Sequence, residues 1–158
     1  MDKIGVLAVQ GDFAEHAQVL RRLDVEPIEV RLPQQLHEVK GLIIPGGEST
    51  TITKMMALYG LTQAVKSRAE SGMPVWGTCA GLIVVCQHVV EDGVRPMELI
   101  DLDVRRNGYG RQVDSFETEL SVPALGEKPF HAVFIRAPII ERLGSGVESL
   151  AELPESGS

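Results

Sequence analysis

The strongest chemical signal in the sequence is a cysteine framed by glycines, Gly77-Thr78-Cys79-Ala80-Gly81. It follows the short apolar run Pro74-Val75-Trp76 and precedes Leu82-Ile83-Val84-Val85, so the pattern predicts a strand-to-helix turn. A turn this tight lifts the central side chain off the sheet edge and brings backbones too close for a Cβ on either flank, which is the need the two glycines meet. At a helix start the unsatisfied N–H groups favour a thiolate, and the N–H of Ala80 points where an oxyanion would form. The chemistry is attack by sulfur on a carbonyl carbon. Free cysteines are more often small buried residues, and Cys86, within Val84-Val85-Cys86, is read that way. The double-glycine frame sets Cys79 apart.

A second loop, Pro45-Gly46-Gly47-Glu48-Ser49-Thr50, also follows a strand pattern and precedes a helix pattern. It therefore falls at the carboxyl edge of the same sheet, where open α/β sheets bind ligands. Adjacent glycines can present N–H groups to a carbonyl oxygen, so this loop could complete an oxyanion hole while Glu48 and Ser49 recognise a polar substrate. Alone it would read as a glycine turn with a Ser or Thr helix cap. It lacks the G-x-x-x-x-G-K-[ST] pattern of a nucleotide-binding loop.

The elements that must hold these loops are legible in the apolar pattern. Lys3 to Gly11 reads as a first, doubly buried strand. Asp12 and Glu15 form a capping-box arrangement before a helix running to about Leu23. Pro27–Arg31 and Gly41–Ile44 read as strands around a short helical segment, Ile52–Ala69 as a helix interrupted at Gly60, Pro74–Gly77 as a strand and Ala80–Val90 as a helix. From Met97 the texture is β-rich, with Leu99–Val104, Val113–Val122, Ala132–Arg136 and Val147–Leu153 strand-like. The expected fold is one α/β domain over residues 1–158, a three-layer, doubly wound, mostly parallel but mixed sheet.

Composition excludes several classes. Of 158 residues, 44% are hydrophobic and 23% charged, which suits a compact domain and not a disordered chain. With 22 acidic against 15 basic residues and no basic cluster beyond Arg21-Arg22 and Arg105-Arg106, no nucleic-acid footprint is visible. The longest apolar runs fall far short of the roughly 20 residues of a membrane span, and no leader pattern precedes the first strand, so a cytoplasmic protein is expected. Two cysteines make no disulfide framework and have no companions at zinc spacing, so no metal or organic cofactor is expected.

The P-G-G loop and the G-x-C-x-G elbow together resemble those of class I, triad-type glutamine amidotransferases, whose sheet is flavodoxin-like. Arg106-Asn107-Gly108-Tyr109-Gly110-Arg111-Gln112, with Pro45-Gly46-Gly47-Glu48-Ser49-Thr50-Thr51 and Phe134-Ile135-Arg136-Ala137-Pro138, narrows the resemblance to the PdxT family, the glutaminase subunit of pyridoxal 5′-phosphate synthase. It covers Ile4 to about Leu153. The resemblance implies that Cys79 attacks the side-chain amide of L-glutamine, forming a glutamyl thioester and releasing ammonia. It implies Gly47 and Ala80 as oxyanion donors, and Gly47, Glu48, Ser49, Arg106, Ile135 and Arg136 as the substrate site. A guanidinium such as that of Arg106 can hold a carboxylate by two hydrogen bonds; without the family, Arg106 and Arg136 read as surface ion pairs. Gln10-Gly11 also matches and is expected near the oxyanion loop or a partner surface. The implied partner is a PdxS-type (β/α)₈ barrel assembled in a ring, which receives the ammonia.

One part of the pattern is missing. A thiol attacking an amide needs a histidine base oriented by a carboxylate, and the family carries these in an H-P-E motif after one more strand. No H-x-E occurs in the 158 residues. His16, His37, His88 and His131 do not match the catalytic position, and His88, read as late in the elbow helix, would lie about 13 Å along its axis from Cys79. All four are assigned surface or capping roles. The sequence is thus read as a domain lacking its C-terminal strand and helix, and as a poor glutaminase by itself. An inactive synthase-docking subunit is the alternative; another cysteine hydrolase, DJ-1-like or peptidase-like, fits the Arg106–Gln112 segment less well.

Overall fold

A computed structural model of the chain describes residues 1–106, 115–135 and 137–153. Its first half alternates strand and helix: β1 (Lys3–Leu7), α1 (Phe13–Arg22), β2 (Glu26–Val30), a 3₁₀ turn (Pro33–His37), β3 (Leu42–Ile44), α2 (Ser49–Leu58), α3 (Leu61–Glu70), β4 (Val75–Gly77) and α4 (Ala80–Val85). The four strands pair in parallel in the order β2-β1-β3-β4. Parallel pairing requires crossovers, and the helices supply them. The α/β fold with a parallel central sheet is as expected.

Burial explains why these segments fold as they do. Leu7, Leu42 and Ile44 join Ile52 and Met56 of α2, Leu61 and Val65 of α3 and Val84 of α4 in one core. Val6, Ala8 and Ile43 alternate with them and are equally buried, on the opposite face, where α1 packs against β1 and β2. A strand buried on both faces needs the continuous apolar runs seen in the sequence. Gly60, at φ +70°, makes the left-handed break that separates α2 from α3. Among the described residues β4 has a strand neighbour on one side only, and Trp76 there is 60% exposed.

The second half departs from expectation. α4 ends at Val85 rather than Val90, because the carbonyls of Val84, Val85 and Cys86 are taken by the N–H groups of Met97, Leu99 and Glu98. The chain continues as β5 (Cys86–Val89), so His88 lies on a strand. β5 pairs in parallel with β6 (Ile100–Arg105), which pairs antiparallel with β9 (Ile139–Leu143). β7 (Phe116–Leu120) and β8 (Phe130–Phe134) form a separate hairpin. The mixed pairing therefore sits in a second sheet instead of extending the first. Val147–Leu153 is irregular, not a strand, and β9 takes the place beside β6. The capping box before α1 does not form, since Asp12 makes no side-chain cap bond. Its N–H donates to the Gly46 carbonyl at 3.0 Å and its carboxylate lies against that glycine.

Candidate active site

Cys79 stands between β4 and α4 with φ +51° and ψ −110°, outside the regions an L-residue ordinarily occupies. Such a conformation costs about 1–3 kcal/mol and persists only where its surroundings hold it. Here they do. The Thr78 N–H donates to Ile44 at 3.0 Å, and the Thr78 carbonyl accepts from Gly81 at 2.8 Å. The glycine frame is required sterically: a Cβ on Gly77 would lie 2.3 Å from the Gly81 oxygen, and one on Gly81 only 1.9 Å from the Ile44 oxygen. The result is an exposed thiol at the carboxyl end of the sheet. Ala80, as the first residue of α4, has an N–H that lies outside the reach of any helical carbonyl. Cys86, by contrast, is fully buried, and desolvation pushes its thiol up to about 11.

The register places the second loop beside the first, because Ile44 pairs with Gly77 and both chains then leave the sheet together. Pro45 and Gly46 are buried while Gly47 is exposed at φ +155°. A methyl on Gly46 would sit 3.5 Å from the Cβ of Cys79, so loop and nucleophile are in contact. Gln10 and Gly11 brace the loop from behind. Glu48 donates its N–H to Gln10 Oε1 at 2.9 Å, and a Cβ on Gly11 would meet the Gly46 oxygen at 2.0 Å. That is the neighbourhood expected for them.

Glu48 does work the sequence hid. Its carboxylate accepts from the N–H groups of Thr50 and Thr51 at 3.0 and 2.7 Å and from the Thr51 hydroxyl at 2.7 Å, so Glu48 rather than Ser49 or Thr50 caps α2. The Thr51 hydroxyl bond, with the backbone donors, holds the carboxyl down at about 2. Arg106 approaches the same carboxylate, its guanidinium 3.5 Å from Glu48 Oε1. The Arg106 N–H is fixed by both oxygens of Glu91, at 3.1 and 2.9 Å. Glu91 was not singled out in the sequence, and nothing local to it signals a partner fifteen residues away.

Cys79, Ala80, Gly47, Glu48, Ser49 and Arg106 line one open cleft of about 230 Å³, closed by Ile83 and Pro138. It offers an exposed sulfur, a carboxylate and a guanidinium within a space suited to one small molecule. A groove of about 780 Å³ walled by β6, β9 and residues 147–153 is larger but holds no cysteine, so the thiol chemistry belongs to the smaller cleft. Ile135 is 62% exposed and is not among the described residues lining the cleft; Arg136 lies outside the described residues, as do Asn107–Asp114. No cluster that could hold a metal occurs among the described residues.

Of the four histidines, His37, His88 and His131 are exposed as expected, and His16 is not. His16 is neither a cap nor a free surface group: half-buried on α1, it shares a hydrogen bond of 3.1 Å between Nε2 and the Thr78 hydroxyl. His131 is exposed but sits between Glu119 and Glu117, at 2.6 and 2.9 Å. No histidine lines the cleft among the described residues.

An α/β sheet with an exposed thiol on a glycine-framed turn beside a double-glycine loop is an arrangement suited to attack by sulfur on a carbonyl carbon. Comparison with known proteins makes the family definite. Residues 6–157 match the SNO glutamine amidotransferase family, and the chain belongs to it. Pyridoxal 5′-phosphate synthase subunit PdxT of Dehalococcoides mccartyi strain 195 is 57% identical over 155 residues, 97% of this chain and 80% of that protein. The protein of the same name from Herpetosiphon aurantiacus is 54% identical, covering 96% of this chain and 82% of its own. A solved structure described as a glutamine amidotransferase superposes with a TM-score of 0.89 at 49% identity, over 95% of this chain and 79% of that one. PurLQS from Thermotoga maritima, 17% identical with a TM-score of 0.64, shares the fold. The alternative of an inactive docking subunit gains no support from these relatives.

Proposed function

We propose that this chain is the glutaminase subunit of a pyridoxal 5′-phosphate synthase, hydrolysing L-glutamine to L-glutamate and ammonia in the cytoplasm and passing the ammonia to a synthase subunit. The observation that carries the reading is the strained, exposed Cys79 in one cleft with Gly47, Glu48 and Arg106. In this mechanism the Cys79 sulfur adds to the side-chain amide carbon. Charge builds on the amide oxygen, where the N–H groups of Gly47 and Ala80 receive it. Collapse expels ammonia and leaves a glutamyl thioester, which water cleaves to glutamate. Arg106 suits the α-carboxylate of glutamine and Glu48 its α-ammonium, because a zwitterion needs both signs at one end of the cleft. Ser49 lines the same cleft, and the resemblance adds Ile135 and Arg136 to the substrate site.

The proton steps need a histidine and its carboxylate, which the resemblance assigns to an H-P-E motif not contained in the 158 residues. The chain spans 80 and 82% of the two curated relatives, and in this reading the motif belongs to their remaining length. The synthase partner is a PdxS-type barrel in a ring. Glutamate release from glutamine, measured with and without that synthase on the full-length chain and on Cys79→Ala, tests the reading. Release should depend on Cys79 and rise with the synthase; equal release from both proteins would remove Cys79 from the mechanism.

A further inference from the structure

We propose that His16 is a positioning residue for the nucleophile, acting through Thr78. The inference rests on the glutaminase reading and adds to it a residue outside the cleft. Thr78 immediately precedes Cys79, and its three polar groups go to three different elements. Its N–H goes to the end of β3, its carbonyl to Gly81 in α4, and its hydroxyl to His16 of α1. The first two bonds are what any strand-to-helix turn of this kind makes. The third ties the elbow to α1, spans 62 positions of sequence and involves a side chain from a helix that, among the described residues, contributes nothing to the cleft.

His16 is itself held. Its ring stands edge-on to Trp76 of β4, with centroids 6.1 Å apart and planes at 79°, so the imidazole is clamped between α1 and the strand that carries the elbow. The segment leading into α1 grips the other loop as well, through Asp12 N–H to the Gly46 carbonyl and Gln10 Oε1 to the Glu48 N–H. Residues 10–16 therefore touch both halves of the site, and His16 is the arm that reaches the sulfur's side. A backbone as unfavourable as that of Cys79 keeps its place only while its neighbours over-determine it. Removing one of the three restraints on Thr78 lets the elbow relax and turns the sulfur away from the oxyanion donors.

The test compares His16→Ala, His16→Gln, Thr78→Val and the Ala/Val double variant. Each is treated with a chloroketone analogue of glutamine, which reports a thiol aligned with bound substrate, and with iodoacetamide, which reports only an exposed thiol. Capture by the analogue should slow roughly tenfold in His16→Ala and in Thr78→Val, while iodoacetamide changes less than about twofold, because misplacement and not exposure is the defect. The double variant should be no slower than either single one, since both remove the same bond. His16→Gln, whose amide nitrogen reaches about as far as Nε2, should recover most of the rate. Unchanged analogue capture in His16→Ala, or losses that multiply in the double variant, would overturn the proposal. Thr78→Val keeps the side-chain shape and decides the matter if His16→Ala does not fold. Absence of Cys79-dependent capture in the unmodified protein would instead bring down the glutaminase reading, and this proposal with it.

Discussion

Replacing Gly81 by alanine adds one methyl where the chain has no room. The new Cβ would stand 1.9 Å from the Ile44 oxygen and 2.8 Å from its carbonyl carbon. Both are backbone atoms of a fully buried strand residue paired on the β4 side, so neither can swing aside. Contacts below 3.0 Å are essentially never tolerated, so α4 must back away from β3 by about 1.1 Å. Ala80 and Cys79 travel with it. A displacement near 1 Å costs an enzyme on the order of a hundredfold in rate, and overpacking of this kind costs about 1–3 kcal/mol. The melting temperature should fall by a few degrees to about 10 °C. The matched control is Gly146→Ala, because a Cβ there meets nothing within 4 Å. Capture by the glutamine chloroketone and a thermal melt, run on both variants, give the two readouts. If Gly81→Ala melted and reacted like Gly146→Ala, the steric account of the elbow would be wrong.

Three further outcomes are expected. Glu48→Gln should lower stability by about 1 kcal/mol at neutral pH, a capping value, since half-exposure screens any larger electrostatic gain. Because the folded-state carboxyl is held at about 2 against an ordinary 4.5, the cap is fully present above pH 4.5 and fades as pH falls toward 2. Melts of both proteins across that range should converge at the acid end, and parallel curves would contradict the assignment. At pH 8 a thiol reagent should modify Cys79 promptly and leave Cys86 intact, because Cys86 is buried and its thiol sits near 11; comparable labelling of both would refute the burial. His131 gains affinity for its proton from hydrogen bonds to Glu119 and then Glu117. Its folded-state value is raised, so the clamp is complete below pH 6.5 and is lost as pH rises through that raised value. An NMR titration of His131 should have a midpoint above 6.5 that drops in Glu119→Gln; a midpoint at or below 6.5 would count against the pairing.

The parts of the site that were legible are those written in local chemistry. Gly77 and Gly81 around Cys79, and Gly46-Gly47 after an apolar strand, each announce a backbone constraint within a few residues, and the parallel order of the strands then brings the two loops together. The gaps have equally physical causes. A run such as Leu82-Ile83-Val84-Val85 is compatible with helix or buried strand, and only the distant N–H groups of residues 97–99 decide where α4 stops. Asp12 had the sequence of a helix cap but was drawn to Gly46, while Glu48, an unusual cap, took that role on α2. β9 was missed because Pro138 stands at its start and the longer, evenly patterned stretch Val147–Leu153 competed for the place. The bonds from His16 to Thr78 and from Glu91 to Arg106 join elements that only the folded chain makes adjacent.

In the proposed mechanism the Cys79 sulfur is the atom that attacks glutamine. The most direct test is to treat the protein with the chloroketone analogue of glutamine, digest it and map the added mass. A single adduct is expected on the peptide bearing Cys79, suppressed by excess L-glutamine and absent from Cys79→Ala. An adduct elsewhere, or one on Cys79 that L-glutamine does not suppress, would contradict it.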